Sequence, residues 1–280
     1  MVTLKNERIT LLIDETGAEM RRMTLDGKDV LWSGDPAVWS GVAPLMFPFC
    51  GGTPEDAYSY EGVTYPMEKH GYARFCKFAV EDRGDSFATF VHTSSDETKK
   101  KYPWDYTLRV TYRLHGRQVD ITYTVKNESD STMLFALGSH EAYACPEGIE
   151  DYDIIFEQPE TLFTYPLDGN LLKRTPVQML KDARVFPLYD KYFEVDALVF
   201  KDLRSRAATL RHRPTGRAVT VKFDTDYFLL WHKYGAPYMC MEPWGGIPSF
   251  VDEPQTLETR EGMTRLAAGE TFTSKHSILL

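Results

Sequence analysis

The chain has 280 residues, of which 42% are hydrophobic and 26% charged, ordinary values for a protein that buries a large core. A net charge of −9 argues against nucleic acid and anionic membranes as main partners, and no apolar run approaches the length of a membrane span. Cys50, Cys76, Cys145 and Cys240 form no C-x-x-C pair and the N-terminus lacks a signal-peptide core, so free thiols in a reducing cytoplasm are expected.

Taken in chain order, the residues predict strands. Met23-Thr24-Leu25 and Val30-Leu31-Trp32 flank Asp26-Gly27, a short-turn signal for a hairpin. Val42 to Arg74 breaks strand rhythm with repeated proline and glycine, and a long irregular segment of this kind is often functional. Within it, Tyr58, Tyr60 and Tyr65 flank a turn at Glu61-Gly62. The charged stretch Ser94 to Lys101 reads as a solvated loop. Leu108, Val110, Tyr112 and Leu114 alternate with polar residues and are answered by Val119, Ile121, Tyr123 and Val125, an antiparallel hairpin with one wet face. Leu171 to Leu180 reads as a short turn of helix interrupted by Pro176. A further hairpin runs through Ala208 to Leu210, turns at Pro214-Thr215-Gly216 and returns along Val219, Val221 and Phe223. The aromatic share of 13% suits pleated sheets, and also suits sugars, whose C–H faces pack on rings. With no repeat and no linker, the expectation is one all-β domain over residues 1–280, a large antiparallel β-sandwich of two sheets packed face to face.

Several polar residues end apolar runs and invite two readings each. His70 and Arg74, in K-H-G-Y-A-R, either point into a cleft and bind sugar oxygens or are a turn residue and a surface cation. His140, after Met133 to Leu137, is either a general acid near neutrality or a hydrogen-bonded strand-end histidine. Asp196, opening D-A-L-V-F, either accepts from sugar hydroxyls or caps a loop. Glu242 follows Tyr238-Met239-Cys240-Met241, so its carboxylate is partly buried and needs a partner or a purpose. Pro243, Trp244, Gly245 and Gly246 then predict a tight turn with an aromatic wall. Trp104 and Trp231 are stacking platforms or core. Two imidazoles and a carboxylate can move protons in both directions, the chemistry of opening and closing a ring. No H-E-x-x-H, G-x-S-x-G, Walker or G-x-G-x-x-G pattern occurs, and His212, His232 and His276 lack ligand-like spacing, so no metal site is read from the sequence.

The ordered set A-P-L-M-F-P-F-C-G-G, K-H-G-Y-A-R, K-Y-P-W-D-Y, L-G-S-H-E-A-Y, D-A-L-V-F-K-D-L and G-A-P-Y-M-C-M-E-P-W-G-G-I resembles the aldose 1-epimerases of the galactose mutarotase-like superfamily, most closely their LacX-like branch. The resemblance runs nearly end to end. It implies a large β-supersandwich with an open cleft, in which Glu242 takes the proton from the anomeric hydroxyl and His140 protonates the ring oxygen. It further implies that His70 assists at the ring side, that Asp196, Arg74 and Trp244 bind a small-molecule sugar, and that no cofactor, metal or nucleotide is needed. One position departs from the family: an arginine usually follows F-P-x-x-G, and here it is Gly52, with Arg74 or Lys69 as candidates to compensate. E-A-Y after His140, where relatives often read P-A-F, is a milder variation. Besides an epimerase for a free hexose, the sequence leaves open an epimerase for a phosphorylated hexose, a sugar-binding protein or sensor without turnover, and a glycoside hydrolase or lyase, a hydrolase needing two carboxylates. The oligomeric state is also left open.

Overall fold

Alternation of apolar and polar side chains makes Tyr106–His115 and Gln118–Asn127 adjacent antiparallel strands, as predicted. Leu108, Val110, Tyr112 and Leu114 lie opposite Val125, Tyr123, Ile121 and Val119, all of them buried, while Arg113, His115 and Arg117 face water. Burying each apolar side chain contributes about 1.5–3 kcal/mol. A ladder hydrogen bond contributes a net of only about 0.5–1.5 kcal/mol, so the apolar face decides which way each strand turns.

In the computed structural model, which describes residues 1–280, this hairpin lies within a nine-stranded antiparallel sheet. Its order is Ala183–Pro187, Tyr152–Glu160, Ala207–His212, Ala218–Phe223, Thr271–Leu279, Gln118–Asn127, Tyr106–His115, Phe87–Thr93 and Ala79–Arg83. The strand Thr271–Leu279 slots between the two predicted hairpins and pairs with both. A second antiparallel sheet of eight strands runs Val177–Gln178, Phe163–Thr164, Leu198–Lys201, Tyr227–Trp231, Tyr238–Trp244, Gly138–Ser139 and Leu45–Met46, with Glu141–Ala144 also paired to Tyr238–Trp244. Pairs such as Phe156–Phe228 and Phe186–Phe200 join the two sheets within one cluster of 60 buried residues. The chain begins with a smaller sheet of four strands, Val2–Lys5, Ile9–Ile13, Met20–Leu25 and Lys28–Asp29.

Three local expectations change, and one open pair of readings is resolved. The Asp26-Gly27 turn forms, but its return strand is only Lys28–Asp29; Leu31 bridges Tyr143 instead, because Leu31 and Trp32 bury against the second sheet. Leu171 to Leu180 holds no helix: Leu171–Leu172 pairs with Leu167–Asp168 and Val177–Gln178 with Phe163–Thr164, since Pro176 blocks helix and sheet edges are at hand. The charged stretch 94–101 contains one helical turn, Asp96–Lys99, held by a capping box between Ser95 and Thr98. Trp104 is core, 1% exposed, with its indole N–H donated to the Thr132 carbonyl.

Candidate active site

Every residue of Tyr238–Trp244 is buried, so this strand has two covered faces. Met239 and Met241 turn to the core between the sheets. Glu242 and Trp244 turn the other way, and Glu242 lies beside Leu229, itself beside Val199, across three strands. The irregular segment predicted to be functional covers this outer face. It contributes Pro44, Gly51, Lys69, His70 and Arg74 to a cleft of about 230 Å³, whose lining also includes Glu242, His140, Asp196, Trp244 and Trp231. All six residues singled out from the sequence therefore meet in one place, and Trp231 proves to be a cleft wall. One correction concerns the strand end: Glu242 is inside the strand, which continues through Pro243 and Trp244, and the turn starts at Gly245. Pairing with Gly138 and Tyr227 holds Trp244 in the ladder.

His140 occupies a break between Gly138–Ser139 and Glu141–Ala144. In the register set by Gly138 opposite Trp244 and Glu141 opposite Met241, His140 falls opposite Glu242. Directly opposed residues share a face, and His140 Nδ1 lies 3.5 Å from Glu242 Oε1. That distance is too long for a firm hydrogen bond, and neither His140 Nδ1 nor either Glu242 oxygen has a partner. Buried polar atoms left this way are costly, so the pair is built to be completed by something that enters the cleft. Trp39 and Trp231 hold the imidazole, with ring centroids at 5.2 and 5.4 Å.

Burial dominates the electrostatics. It pushes the Glu242 carboxyl well above its ordinary value, with the nearby Glu141 and Asp196 adding to the effect and Lys69 opposing it. It pushes His140 down to about 3, helped by Lys69 and Arg74. The close approach of the two groups would favour a charged pair, but without a hydrogen bond between them desolvation prevails. In the empty cleft burial thus favours the neutral form of both groups.

His70 sits in the left-handed region at φ +70°, followed by Gly71 at +69°. A Cβ at Gly71 would lie 2.3 Å from the Phe47 carbonyl oxygen, so glycine is required there. His70 N–H donates to the Gly51 carbonyl and Gly51 N–H donates to His70 Nδ1. With Nδ1 accepting, the neutral ring carries its proton on Nε2. Burial, then His140, Lys69 and Arg74, hold its pKa well below the usual histidine value, so His70 is a neutral donor. Asp196 caps its loop, with Oδ1 accepting from Ala197 N–H at 2.8 Å, and it also lines the cleft with Oδ2 3.7 Å from Lys69 Nζ. Arg74 donates to the Lys69 carbonyl and lies over the Phe75 ring, with its Nε unpartnered. Trp244 donates its N–H to the Ser139 carbonyl and stands edge-on to His70. The cleft aromatic missed by sequence reading is Trp39, a lone loop tryptophan with no periodicity to mark it.

Gly52 cannot carry the family arginine. A Cβ there would lie 2.6 Å from Asn170 Cβ and 2.8 Å from its carbonyl oxygen, in the hairpin of Leu167–Asp168 and Leu171–Leu172. An arginine does reach this loop from the core side: Arg260 Nη2 donates to the carbonyls of Cys50, Gly52 and Ile247. Gly52→Ala is therefore expected to lower stability by about 1–3 kcal/mol through overpacking, measured as a shift of the denaturation midpoint. A variant as stable as wild type would show that the Asn170 hairpin yields freely. Cys240 Sγ lies within 4.8 Å of the His140 and Glu242 ligand atoms. Burial and Glu242 hold this thiol protonated, and it does not line the cleft, so the trio is not read as a metal site.

The aldose 1-epimerase family model matches residues 1–279. Protein LacX of Lactococcus lactis subsp. lactis is 30% identical over 298 residues, covering 100% of this chain and 99% of its own. The X-ray structure of a galactose mutarotase related enzyme from Lactobacillus acidophilus superposes with a TM-score of 0.95 at 30% identity, over 99% of this chain and 96% of that one. A galactose mutarotase-like protein from Lactobacillus casei gives 0.92 at 31% identity, over 100% and 99%. The chain belongs to the aldose 1-epimerase family and has the galactose mutarotase-like all-β fold.

Proposed function

We propose that this protein interconverts the α and β anomers of a free hexose or a related aldose by acid–base ring opening and closure. The observation that carries this reading is the His140–Glu242 pair, two buried proton-transfer groups directly opposed, 3.5 Å apart and otherwise unpartnered. Family membership supports a sugar substrate. The aromatic walls Trp39 and Trp231 suit the C–H face of a pyranose, while Lys69, Arg74 and Asp196 suit its hydroxyls. The same reading takes residues 1–280 as one unit, supported by a core that includes both Val2 and Ile278. Four free cysteines support a cytoplasmic location.

In the opening step, the Glu242 carboxylate takes the proton of the anomeric hydroxyl, the C1–O bond to the ring oxygen breaks, and the His140 imidazolium protonates that oxygen. The step ends with a carboxylic acid and a neutral imidazole, the arrangement that burial favours in the empty cleft. After rotation about C1–C2 the two groups reverse their roles and the ring closes on its other face. The pair carries one proton throughout, so a turnover needs no outside acid or base. Binding of the cyclic sugar must draw that proton from Glu242 to His140. Hydroxyls donating to the free carboxylate oxygens, and His70 Nε2–H donating at the ring side, stabilise that shift.

Polarimetry of freshly dissolved α-D-glucose and α-D-galactose tests the reading, with accelerated mutarotation as the expected result. Saturable binding of these sugars without acceleration would replace it with a sugar-binding protein. The proton inventory also sets the pH profile. The active free form is the pair with one proton, lost on the acid side near the depressed value of His140, about 3, and on the alkaline side at the raised value of Glu242. After subtraction of the uncatalysed rate, kcat/KM is expected to show no acid limb in the ordinary histidine range of about 6.5 and to fall on the alkaline side as Glu242 loses its proton. An acid limb centred in that range would show an unperturbed histidine in control.

A further inference from the structure

Directly behind the proton-transfer pair, on the core side of the second sheet, lies a second carboxylate–imidazole contact. Glu141 and His276 are each 2% exposed at the side chain. His276 Nε2 donates to Glu141 Oε1 at 3.0 Å, and Ser139 Oγ donates to Glu141 Oε2 at 2.9 Å. Glu141 belongs to the second sheet and His276 to the first, so the contact spans the apolar layer between them. Burying such a pair gives little net stability over apolar residues of the same volume, so its position calls for another explanation.

That position is specific. Ser139 and Glu141 bracket His140, and both are tied to the same carboxylate. The Ser139 carbonyl also accepts the Trp244 N–H. The strand break that sets His140 opposite Glu242 is thus anchored from behind at both of its ends. We infer that the Glu141–His276 bridge is a positioning unit for the proton-transfer pair, fixing the strand break and setting beside Glu242 a negative charge that keeps the shared proton on the pair. This rests on the proposed roles of His140 and Glu242.

The surroundings agree. The hydroxyls of Tyr112, Tyr123 and Tyr143 are each pushed well above the usual tyrosine value by burial first and by Glu141 next. Cys240 and Glu242, on the paired strand, are affected in the same direction. The group facing Glu141 from the opposite sheet is the His276 imidazole.

The test titrates the Glu242 carboxyl in the empty protein by carbon-13 NMR of labelled glutamate, assigned with Glu242→Gln, in wild type and in Glu141→Gln. The midpoint is expected to fall by roughly one unit, the low end for a nearby charge. The alkaline limb of kcat/KM should move down with it while KM holds, since Glu141 faces away from the cleft. An unmoved midpoint, or a loss of rate equal at all pH values, would overturn the inference. Should Glu141→Gln fail to fold, Glu141→Leu with His276→Phe removes the same charge with apolar volume, and the same shift is required of it. The NMR readout needs no turnover, so a protein without mutarotase activity would refute the proposed function and leave this test intact.

Discussion

Glu242→Gln is expected to lower the mutarotation rate by about 10²–10⁴-fold, the usual contribution of one proton-transfer group, and to leave the protein folded. A thousandfold loss corresponds to about 4 kcal/mol of transition-state stabilisation. The side chain is 1% exposed and neither oxygen has a hydrogen-bond partner, so nothing in the folded protein depends on its charge. Glutamine keeps the shape, and its amide can donate to His140 Nδ1, which also lacks a partner. The thermal midpoint is accordingly expected to hold or rise, as it does where a site trades stability for function. Initial rates by polarimetry, with thermal unfolding of the same sample, read both quantities. Turnover near wild type would remove Glu242 from the reaction. A folded variant that has lost activity and keeps sugar binding would place the loss in the chemical step.

The sheets were legible in the sequence wherever a strand has one wet face. Leu108 to Leu114 and Val119 to Val125 alternate because one side meets the core and the other meets water, and they pair in the expected register. Tyr238–Trp244 is buried on both sides, so alternation does not mark its end, and the turn was expected two residues too early. Two-residue edge strands such as Leu171–Leu172 depend on distant partners and leave no local pattern. At the site, His140 and Glu242 stood out as polar residues beside apolar runs. What the sequence does not contain is the register that makes them face each other, since that comes from pairing of remote segments. Gly52 shows the same limit: the missing arginine is visible in one dimension, while the occupant of its space, Asn170, is visible only in three. Arg260 sits in E-T-R-E-G, where a charge reads as solvent-facing, yet it is 7% exposed and holds the Cys50–Gly52 loop from beneath.

His140→Ala is expected to lower turnover by a similar factor, about 10²–10⁴, and its combination with Glu242→Gln discriminates more sharply than either variant alone. The imidazole packs between Trp39 and Trp231, so its removal leaves a space beside the cleft lined by aromatic faces. Free imidazole entering that space is expected to restore part of the rate, because it returns the acid to the ring oxygen. The double variant is expected to be hardly slower than the worse single one. The two residues share one proton, and removing either group ends the exchange, so the second loss has nothing left to remove. Losses that multiply would mean that each group acts on its own, with a separate proton source, and would break the one-proton account of the pair. Rescue by imidazole in His140→Ala, with none in the double variant, would tie the acid to the base across the 3.5 Å gap in which the unliganded protein leaves both without a partner.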